Sequence, residues 1–384
     1  MEQMTHLAVQ TTPKLTSFAA KLRKLVDKRD NRGKRHKLAF VLGGVVLAIM
    51  SGRSAVSSIQ RYISNRLRWL RRVLGDPSAT AVSRAQLPRI LATVDWSALN
   101  ELLTKQFGLR LEPQGRLWGA VDGKTLRGVA GQSERVVLAV SHSNRQTVAQ
   151  QPLPGTKRSE ITAVRELLTT TRLEQGSLTL DALHFNPGTT AQINQAGGHY
   201  LSQVKNNQPR LLAQLSQEAA SAQPVSTLKT VEKGHGRLEI RQAAFFKVSH
   251  LPLDDRWADS GLATLIVVAR RTTESATQKR SAEVSCYGSN VPLEAADETI
   301  PLELLTAIRQ HWGVETHNHI RDVIFQEDHV KTKSGNQAQV LASLRSVAIE
   351  LFQMAGFDNF QAALETFTDC PDQFEAFLAQ YDFL

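Results

Sequence analysis

The sequence has little cysteine and few aromatic residues. Its 384 residues include two cysteines, Cys286 and Cys370, and aromatic residues make up 6% of the chain. Two cysteines so far apart cannot build a disulfide framework or a cysteine zinc site. The pattern therefore excludes a small disulfide-stapled protein and favours a reducing compartment such as the cytoplasm.

Long apolar segments are also missing. The longest apolar run, LAFVLGGVVLAIM at 38–50, has 13 residues, whereas a membrane-spanning helix needs about 20. We therefore expect a buried helix there and no membrane partner. Hydrophobic residues are 41% and charged residues 21% of the chain, which are ordinary values that exclude a mostly disordered or fibrous protein.

Acidic residues are fewer than basic ones, 36 against 46, and the net charge is +10. The basic excess is concentrated at 14–37, where ten Lys and Arg face only Asp27 and Asp30. Such a window on a globular chain favours a polyanionic partner, most often nucleic acid. The alternative is a solvated, disordered start. The range 356–384 has the opposite charge, with six acidic residues and no Lys or Arg.

Changes in composition and periodicity predict five segments. They are a basic, flexible head at 1–37, a helical segment at 38–108, an α/β core at 109–220 and 301–355, a β-rich insertion at 221–300, and an acidic, Phe-rich tail at 356–384. In the core, strands at 117–121, 136–141 and 147–153 precede alternating helices and strands. This order predicts a mixed sheet covered by helices. The helical segment either binds DNA or caps the core.

Three acidic residues stand out in the predicted core. Asp122 and Asp181 each follow a predicted strand, and Glu315 lies in a later helix. Each alone has an ordinary explanation, because Asp-Gly is a common turn, Asp181 can cap a helix, and a helical Glu is usually solvated. If the two strands are neighbours, however, the carboxylates converge and repel one another unless a cation compensates.

A cluster of carboxylates would select hard cations such as Mg²⁺ or Mn²⁺. Two such ions can activate a nucleophile and stabilise the leaving oxygen in phosphoryl transfer. The acids therefore indicate metal-dependent chemistry on phosphate esters.

Long phrases around these acids carry a family resemblance. They are RGKRHKLA at 32–39, AVDGKTLRG at 120–128, KRSEITAVRELL at 157–168, LTLDALHFN at 178–186, GGHYLSQVKNNQ at 197–208, HGRLEIR at 235–241 and HWGVETHNHIRDVIFQED at 311–328. In these phrases the sequence resembles DDE insertion-sequence transposases of the H-repeat-associated type. Related transposases with a β-rich insertion often carry Arg and Lys where this chain has His311 and Asp322.

The resemblance implies a ribonuclease-H-like core and a transposase that cleaves and transfers DNA strands at the ends of its own insertion sequence. It implies Asp122, Asp181 and Glu315 as ligands of two Mg²⁺ or Mn²⁺ ions. Double-stranded DNA, as element ends and target, is the expected partner of a homodimer associated with the nucleoid in a prokaryotic cytoplasm. Two alternatives stay open: a catalytically decayed DNA-binding copy, and a simple Mg²⁺-dependent nuclease.

Basic and amide side chains near the acids and in the head are the predicted DNA contacts. They are Lys124, Arg127, Lys157, Arg158, Lys205, Asn207, Gln208, His311, Arg32, Lys34, Arg35 and Lys37. Lys157 and Arg158 begin a helix, where a cation opposes the helix dipole, so a phosphate partner would explain them. For Lys124 and Arg127 the alternative is an exposed basic loop, and for His311 it is an ordinary surface histidine. Trp312 is expected in the core.

Overall fold

The computed structural model describes residues 18–107, 118–126, 134–142, 147–153, 157–234, 236–294 and 297–381. The chain forms two compact units. The helical unit holds the described residues of 1–108, 126–133 and 320–384, and the sheet unit holds those of 109–125 and 134–319. No helix in the described ranges is both long and apolar enough to cross a bilayer.

Six helices begin the helical unit. They are α1 (Phe18–Leu22), α2 (Leu38–Met50), α3 (Val56–Asn65), α4 (Leu67–Val73), α5 (Gln86–Thr93) and α6 (Trp96–Phe107). Helix α2 is the predicted apolar run, and it is buried almost all round because every face is apolar. A Cβ atom on Gly43 would lie 2.9 Å from Leu74 Cδ2, so glycine allows this close packing.

The predicted flexible head is wrong from residue 18 onwards. Phe18, Ala19 and Leu22 of α1 are buried in the core of the helical unit. The guanidinium of Arg29 is nearly buried and pairs with Asp27 at 2.6 Å. Burial of these apolar side chains fixes a segment whose net charge suggested disorder. Residues 1–17 lie outside the described part of the chain.

The sheet unit contains nine strands and five helices among its described residues. In chain order they are β1 (Trp118–Leu126), β2 (Glu134–Ser141), β3 (Thr147–Leu153), α7 (Lys157–Thr171), β4 (Ser177–Leu180), α8 (Pro187–Gln195), β5 (His199–Val204), α9 (Pro209–Ser221), β6 (Ser226–Gly234), β7 (Arg237–Lys247), β8 (Thr264–Glu274), β9 (Arg280–Ser289), α10 (Thr299–Gln310) and α11 (Gly313–His319).

All nine strands join one sheet, in the order β3-β2-β1-β4-β5-β9-β8-β7-β6. Strands β1, β4 and β5 are parallel, whereas β2 with β3 and the run from β5 through β9 to β6 pair antiparallel. This confirms the predicted mixed α/β class. The four strands within the β-rich range 221–300 extend the same sheet, because β9 pairs with the edge of β5.

Three helices complete the helical unit: α12 (Gly335–Met354), α13 (Phe360–Asp369) and α14 (Pro371–Gln380). The last two form the acidic, Phe-rich tail. Phe367 and Phe374 stack with ring centroids 4.6 Å apart, and both belong to the core of the helical unit. Glu375 pairs with Arg72 at 2.6 Å. The described part of the tail is therefore packed into the fold, with Phe360, Phe367, Phe374 and Phe377 buried.

Candidate active site

Two aspartates meet at one edge of the parallel strands. The register of β1 with β4 places Val121 opposite Leu180, so Asp122 and Asp181 are the next residues along each strand. Strand β4 ends at this point, as predicted, and Asp181 is exposed. Strand β1 differs from its prediction, because its extended backbone continues past Asp122 to Leu126.

The carboxylate of Asp122 lies in an unfavourable environment. Burial raises its pKa from 3.8 to about 6, and the charges of Asp181 and Glu160 act in the same direction. The backbone N–H of Gly123 donates a hydrogen bond to Oδ1 at 2.8 Å, which opposes the shift. Several negative groups therefore compete at one point, which is the arrangement that a bound cation would relieve.

Glu315 faces the same cleft from a different element. Helix α10 ends at Gln310, and the short helix α11, which carries Glu315, begins at Gly313. A cleft of about 570 Å³ is lined by Asp122, Asp181 and Glu315 together. Within the described ranges, no three His, Cys, Asp or Glu side chains are close enough to hold one metal ion. The three acids share a cleft without forming a closed ligand set.

A fourth carboxylate, which the sequence analysis missed, lies beside Asp122. Glu160, in the first turn of α7, packs against Gly123 so closely that a Cβ there would lie 2.5 Å from its Oε1. The same Oε1 is 3.5 Å from Nε2 of His184, which is wholly buried. Both residues lie in the family phrases quoted above, and their position inside those phrases was the available signal.

The predicted DNA contacts in the sheet unit have mixed outcomes. Lys205 follows β5, is exposed and lines the cleft. Lys124 is 6% exposed, so the alternative of an exposed basic loop is wrong at this position, and its contact with a phosphate stays a prediction. Arg127 lies outside the described residues. Lys157 and Arg158 begin α7, as predicted, but their side chains are outside the described part.

The amides of Asn207 and Gln208 serve the protein itself. Asn207 Nδ2 donates to the carbonyl of Ala182 at 2.6 Å, and Gln208 Nε2 donates to the carbonyl of Phe185 at 3.3 Å. These bonds hold the backbone that follows Asp181. Each side-chain amide keeps a second N–H, so the use of these amides as donors to DNA stays a prediction.

His311 and Trp312 lie at the break between α10 and α11, and both line the cleft. His311 Nδ1 is 2.8 Å from the hydroxyl of Thr179, which also lies 2.9 Å from His142 Nε2. Burial lowers the pKa of both histidines, that of His142 to about 3. Trp312 is 62% exposed, so its expected place in the core is wrong.

The strands of the insertion supply a charged wall of the cleft. The lining residues on β7, β8 and β9 include Arg237, Glu239, Arg241, Arg270 and Glu283. Opposite charges pair along this wall, for example Arg270 with Glu283 at 2.6 Å. Sequence patterns did not indicate this wall, because the pairs join residues on different strands.

The four predicted contacts in the head differ in their surroundings. Arg32, Lys34 and Arg35 are exposed around the turn at Asn31–Gly33. Lys34 Nζ donates to the side chain of Asn31 at 3.2 Å. Lys37 is also exposed but pairs with Asp76 at 2.9 Å.

The sheet and its two aspartates define the class of the sheet unit. Parallel β1, β4 and β5 at the centre, β2 and β3 beside them and covering helices form a ribonuclease-H-like fold, with carboxylates at the edge where α/β sheets place their sites.

Comparison with known families agrees with this class. The model of the family described as "Transposase DDE domain" matches residues 109–351, and a second model, "DDE_Tnp_1-associated", matches residues 19–106. The chain belongs to the DDE transposase family, and the predicted resemblance is confirmed.

Relatives in Escherichia coli match over most of their length. The "H repeat-associated putative transposase YhhI" of strain K12 is 28% identical over 341 residues, covering 85% of this chain and 87% of the relative. YbfL of the same strain is 28% identical over 332 residues, covering 82% and 85%. The "Putative transposase YncI" of O157:H7 is 26% identical over 338 residues, covering 85% of each.

Proposed function

We propose that this chain cleaves DNA strands at the ends of its own insertion sequence and joins them to target DNA. One observation carries the proposal: Asp122 and Asp181 directly follow the paired residues Val121 and Leu180 of neighbouring parallel strands, and Glu315 lines the same cleft. Family membership and the transposase names of two relatives support it.

The donor set fits hard divalent cations. All three proposed ligands are carboxylates, and the raised pKa of Asp122 reflects burial together with the nearby charges of Asp181 and Glu160, which a cation would offset. We propose that Asp122, Asp181 and Glu315 hold two Mg²⁺ or Mn²⁺ ions. When bound, such ions supply activation of the attacking oxygen and stabilisation of the leaving oxygen.

Basic residues at the cleft and in the head bind and orient the DNA. Exposed Lys205 offers a charge to a phosphate at the cleft. The exposed cations Arg32, Lys34 and Arg35 add affinity that does not depend on base sequence. Arg127, Lys157 and Arg158 stay proposals for phosphate contacts.

The larger organisation is also proposed. We infer a homodimer on DNA that works at the nucleoid in the cytoplasm. Helical residues 38–108 would bind or help to bind DNA, the core at 109–220 and 301–355 would carry out catalysis, and the strands at 221–300 would form one wall of the cleft.

The test is Mg²⁺-dependent nicking of a duplex that bears the element end. Asp122→Asn, Asp181→Asn and Glu315→Gln should each reduce nicking on the order of 10³-fold, because each removes a charge that stabilises the transition state through a cation. DNA affinity should change little. The matched control is Glu283→Gln, which removes a carboxylate from the same cleft and should nick almost normally.

The joining step separates the proposed function from its alternatives. Transfer of the cleaved end into a second duplex supports a transposase. Cleavage without transfer identifies a nuclease, and DNA binding with neither identifies a decayed copy. Normal nicking by any one of the three variants removes that residue from the proposed ligand set, and full activity in EDTA rejects metal dependence.

A further inference from the structure

Three arginines of the helical unit line one cavity, whose volume is about 390 Å³. Arg53 lies in the turn between α2 and α3, Arg61 lies on α3, and Arg66 directly follows the last residue of that helix. Helix α13 of the acidic tail contributes Thr368 to the wall. All these elements belong to the helical unit, so the cavity is a feature of that unit alone.

Helix α3 has one face for the core and another for the cavity. Ile59 and Ile63 are buried in the core of the helical unit. The residues of α3 that line the cavity recur every three or four positions, which places them along a second face of the helix. They are Ser58, Arg61, Tyr62 and Asn65. The core face therefore fixes the direction in which Arg61 leaves the helix.

The three arginines have no counter-ion among the described residues. Other cations of the same unit do pair with acids. Arg72 pairs with Glu375 at 2.6 Å, and Lys37 pairs with Asp76 at 2.9 Å. The cavity therefore collects positive charge that the fold leaves without a partner.

Two acidic residues lie in the neighbourhood. Glu365 and Asp369 line an adjoining cavity, which shares Arg53 and Thr368 with the first. Their charges act mainly on Arg53, because neither Arg61 nor Arg66 lines that second cavity. Arg61 and Arg66 are consequently the two cations with the least compensation.

The phenol of Tyr62 shows that charges converge on this cavity. Burial raises the pKa of Tyr62, whereas the hydrogen bond with Ser51 and the charges of Arg66 and Arg53 act to lower it. Two guanidinium groups thus act on one phenol in the cavity wall. Like charges held close together without an acid favour the binding of an anion.

The chemistry of the wall indicates which anion fits. A guanidinium group presents a planar fork of N–H donors that matches the oxygens of a phosphate. We propose that Arg61 and Arg66, with Arg53 beside them, bind a phosphate of the DNA backbone in this cavity. The choice of DNA as the source of the phosphate rests on the proposed function, because a free phosphate ion has the same chemistry.

The binding test removes two of the charges. The double variant Arg61→Gln with Arg66→Gln should bind a duplex about 10- to 100-fold more weakly, because it loses charged hydrogen bonds to a phosphate. The slope of log affinity against log salt should become shallower by about 1 unit. Fluorescence anisotropy of the full chain in EDTA, with a duplex that lacks the element end, measures both.

The matched control removes the same charge elsewhere. Arg84 and Arg89 are exposed arginines of the helical unit that lie outside the cavity. The double variant Arg84→Gln with Arg89→Gln should keep an affinity within about twofold of the wild type, since exposed charges that touch no phosphate contribute little. Equal losses in the two double variants would mean that only total charge matters, which overturns the proposal.

A competition test examines the site in the unmodified protein. At equal ionic strength, inorganic phosphate should displace the duplex from the wild type more effectively than acetate does. This advantage of phosphate should shrink in the Arg61 and Arg66 double variant and persist in the control. No advantage in the wild type would also overturn the proposal.

The two sources of phosphate give different results. If the advantage of phosphate depends on Arg61 and Arg66 but their double variant binds the duplex normally, the cavity takes free phosphate and the assignment to DNA is wrong. None of these measurements uses cleavage. A chain that binds DNA but never cuts it therefore rejects the proposed function and still decides this one.

Discussion

Both units bury charge, but in opposite ways. In the helical unit, Arg321 is fully buried and donates from Nε and Nη2 to the two oxygens of Glu327, each at 2.9 Å. In the sheet unit, Asp122 is half-buried beside the like charges of Asp181 and Glu160.

The contrast distinguishes a structural cluster from a site. A buried pair with complete hydrogen bonds lowers the cost of its own burial. Clustered like charges raise the free energy of the folded state, and such groups are typical of functional sites. The helical unit therefore pairs its buried charge internally, whereas the sheet unit keeps like charges close to one another.

The largest effect on stability is expected when the buried ion pair of Arg321 and Glu327 is broken. Glu327→Gln leaves Arg321 buried without a counter-ion, so the free energy of unfolding should fall by about 3–5 kcal/mol. Urea denaturation measures it. The control Glu365→Gln changes an exposed carboxylate on α13 and should have almost no effect. A loss near that of the control would mean that the buried pair does not stabilise the helical unit.

Removing a charge from the group of Asp122, Asp181 and Glu160 should instead stabilise the protein. Asp122→Asn should raise the free energy of unfolding by about 1–3 kcal/mol in EDTA at pH 8. A folded-state pKa raised from 3.8 to about 6 means that the ionised carboxylate is disfavoured by folding above that pH, and each pKa unit corresponds to about 1.4 kcal/mol.

The amide that this substitution introduces can still accept the N–H of Gly123, so the change removes charge and little else. Asp181→Asn is the comparison, and its gain should be smaller because Asp181 is exposed. A destabilised Asp122→Asn protein would contradict the view that burial and the neighbouring negative charges disfavour the ionised carboxylate at this point.

The sequence predicted that Asp122 and Asp181 lie close together, but it did not predict the pair of Arg321 and Glu327. Asp122 and Asp181 could be placed together because parallel strand ends share an edge of the sheet. Arg321, Glu327 and Glu160 could not be paired from sequence, because their contacts depend on how helices pack.

Local patterns also decided the fold predictions. Helix α2 was predicted at its observed bounds because its apolar run ends at Ser51 and Gly52, and β4 was predicted to end before Asp181. Strand β6 was missed because its residues are mostly polar and half-exposed. The folded start was missed because charge at 14–37 outweighed the few apolar residues, such as Phe18 and Leu22, that anchor it.

The smallest expected effect concerns DNA affinity, and it comes from the exposed basic side chains of the head. Replacing Arg32, Lys34 and Arg35 by Gln should make the slope of log affinity against log salt shallower by up to about 3 units. Fluorescence anisotropy over a salt series measures the slope. Lys37→Gln should change it less, because Lys37 already pairs with Asp76. An unchanged slope for the triple variant would place the phosphate contacts elsewhere.

The central claim is that Asp122, Asp181 and Glu315 form a divalent metal site for DNA cleavage. The most direct test uses the complex of the protein with an uncleavable DNA duplex that carries the element end. Electron paramagnetic resonance counts the Mn²⁺ ions bound to this complex. We predict two ions for the wild type and for Glu283→Gln, and the loss of at least one ion in Asp122→Asn and in Glu315→Gln. Equal occupancy in all four proteins would contradict the claim.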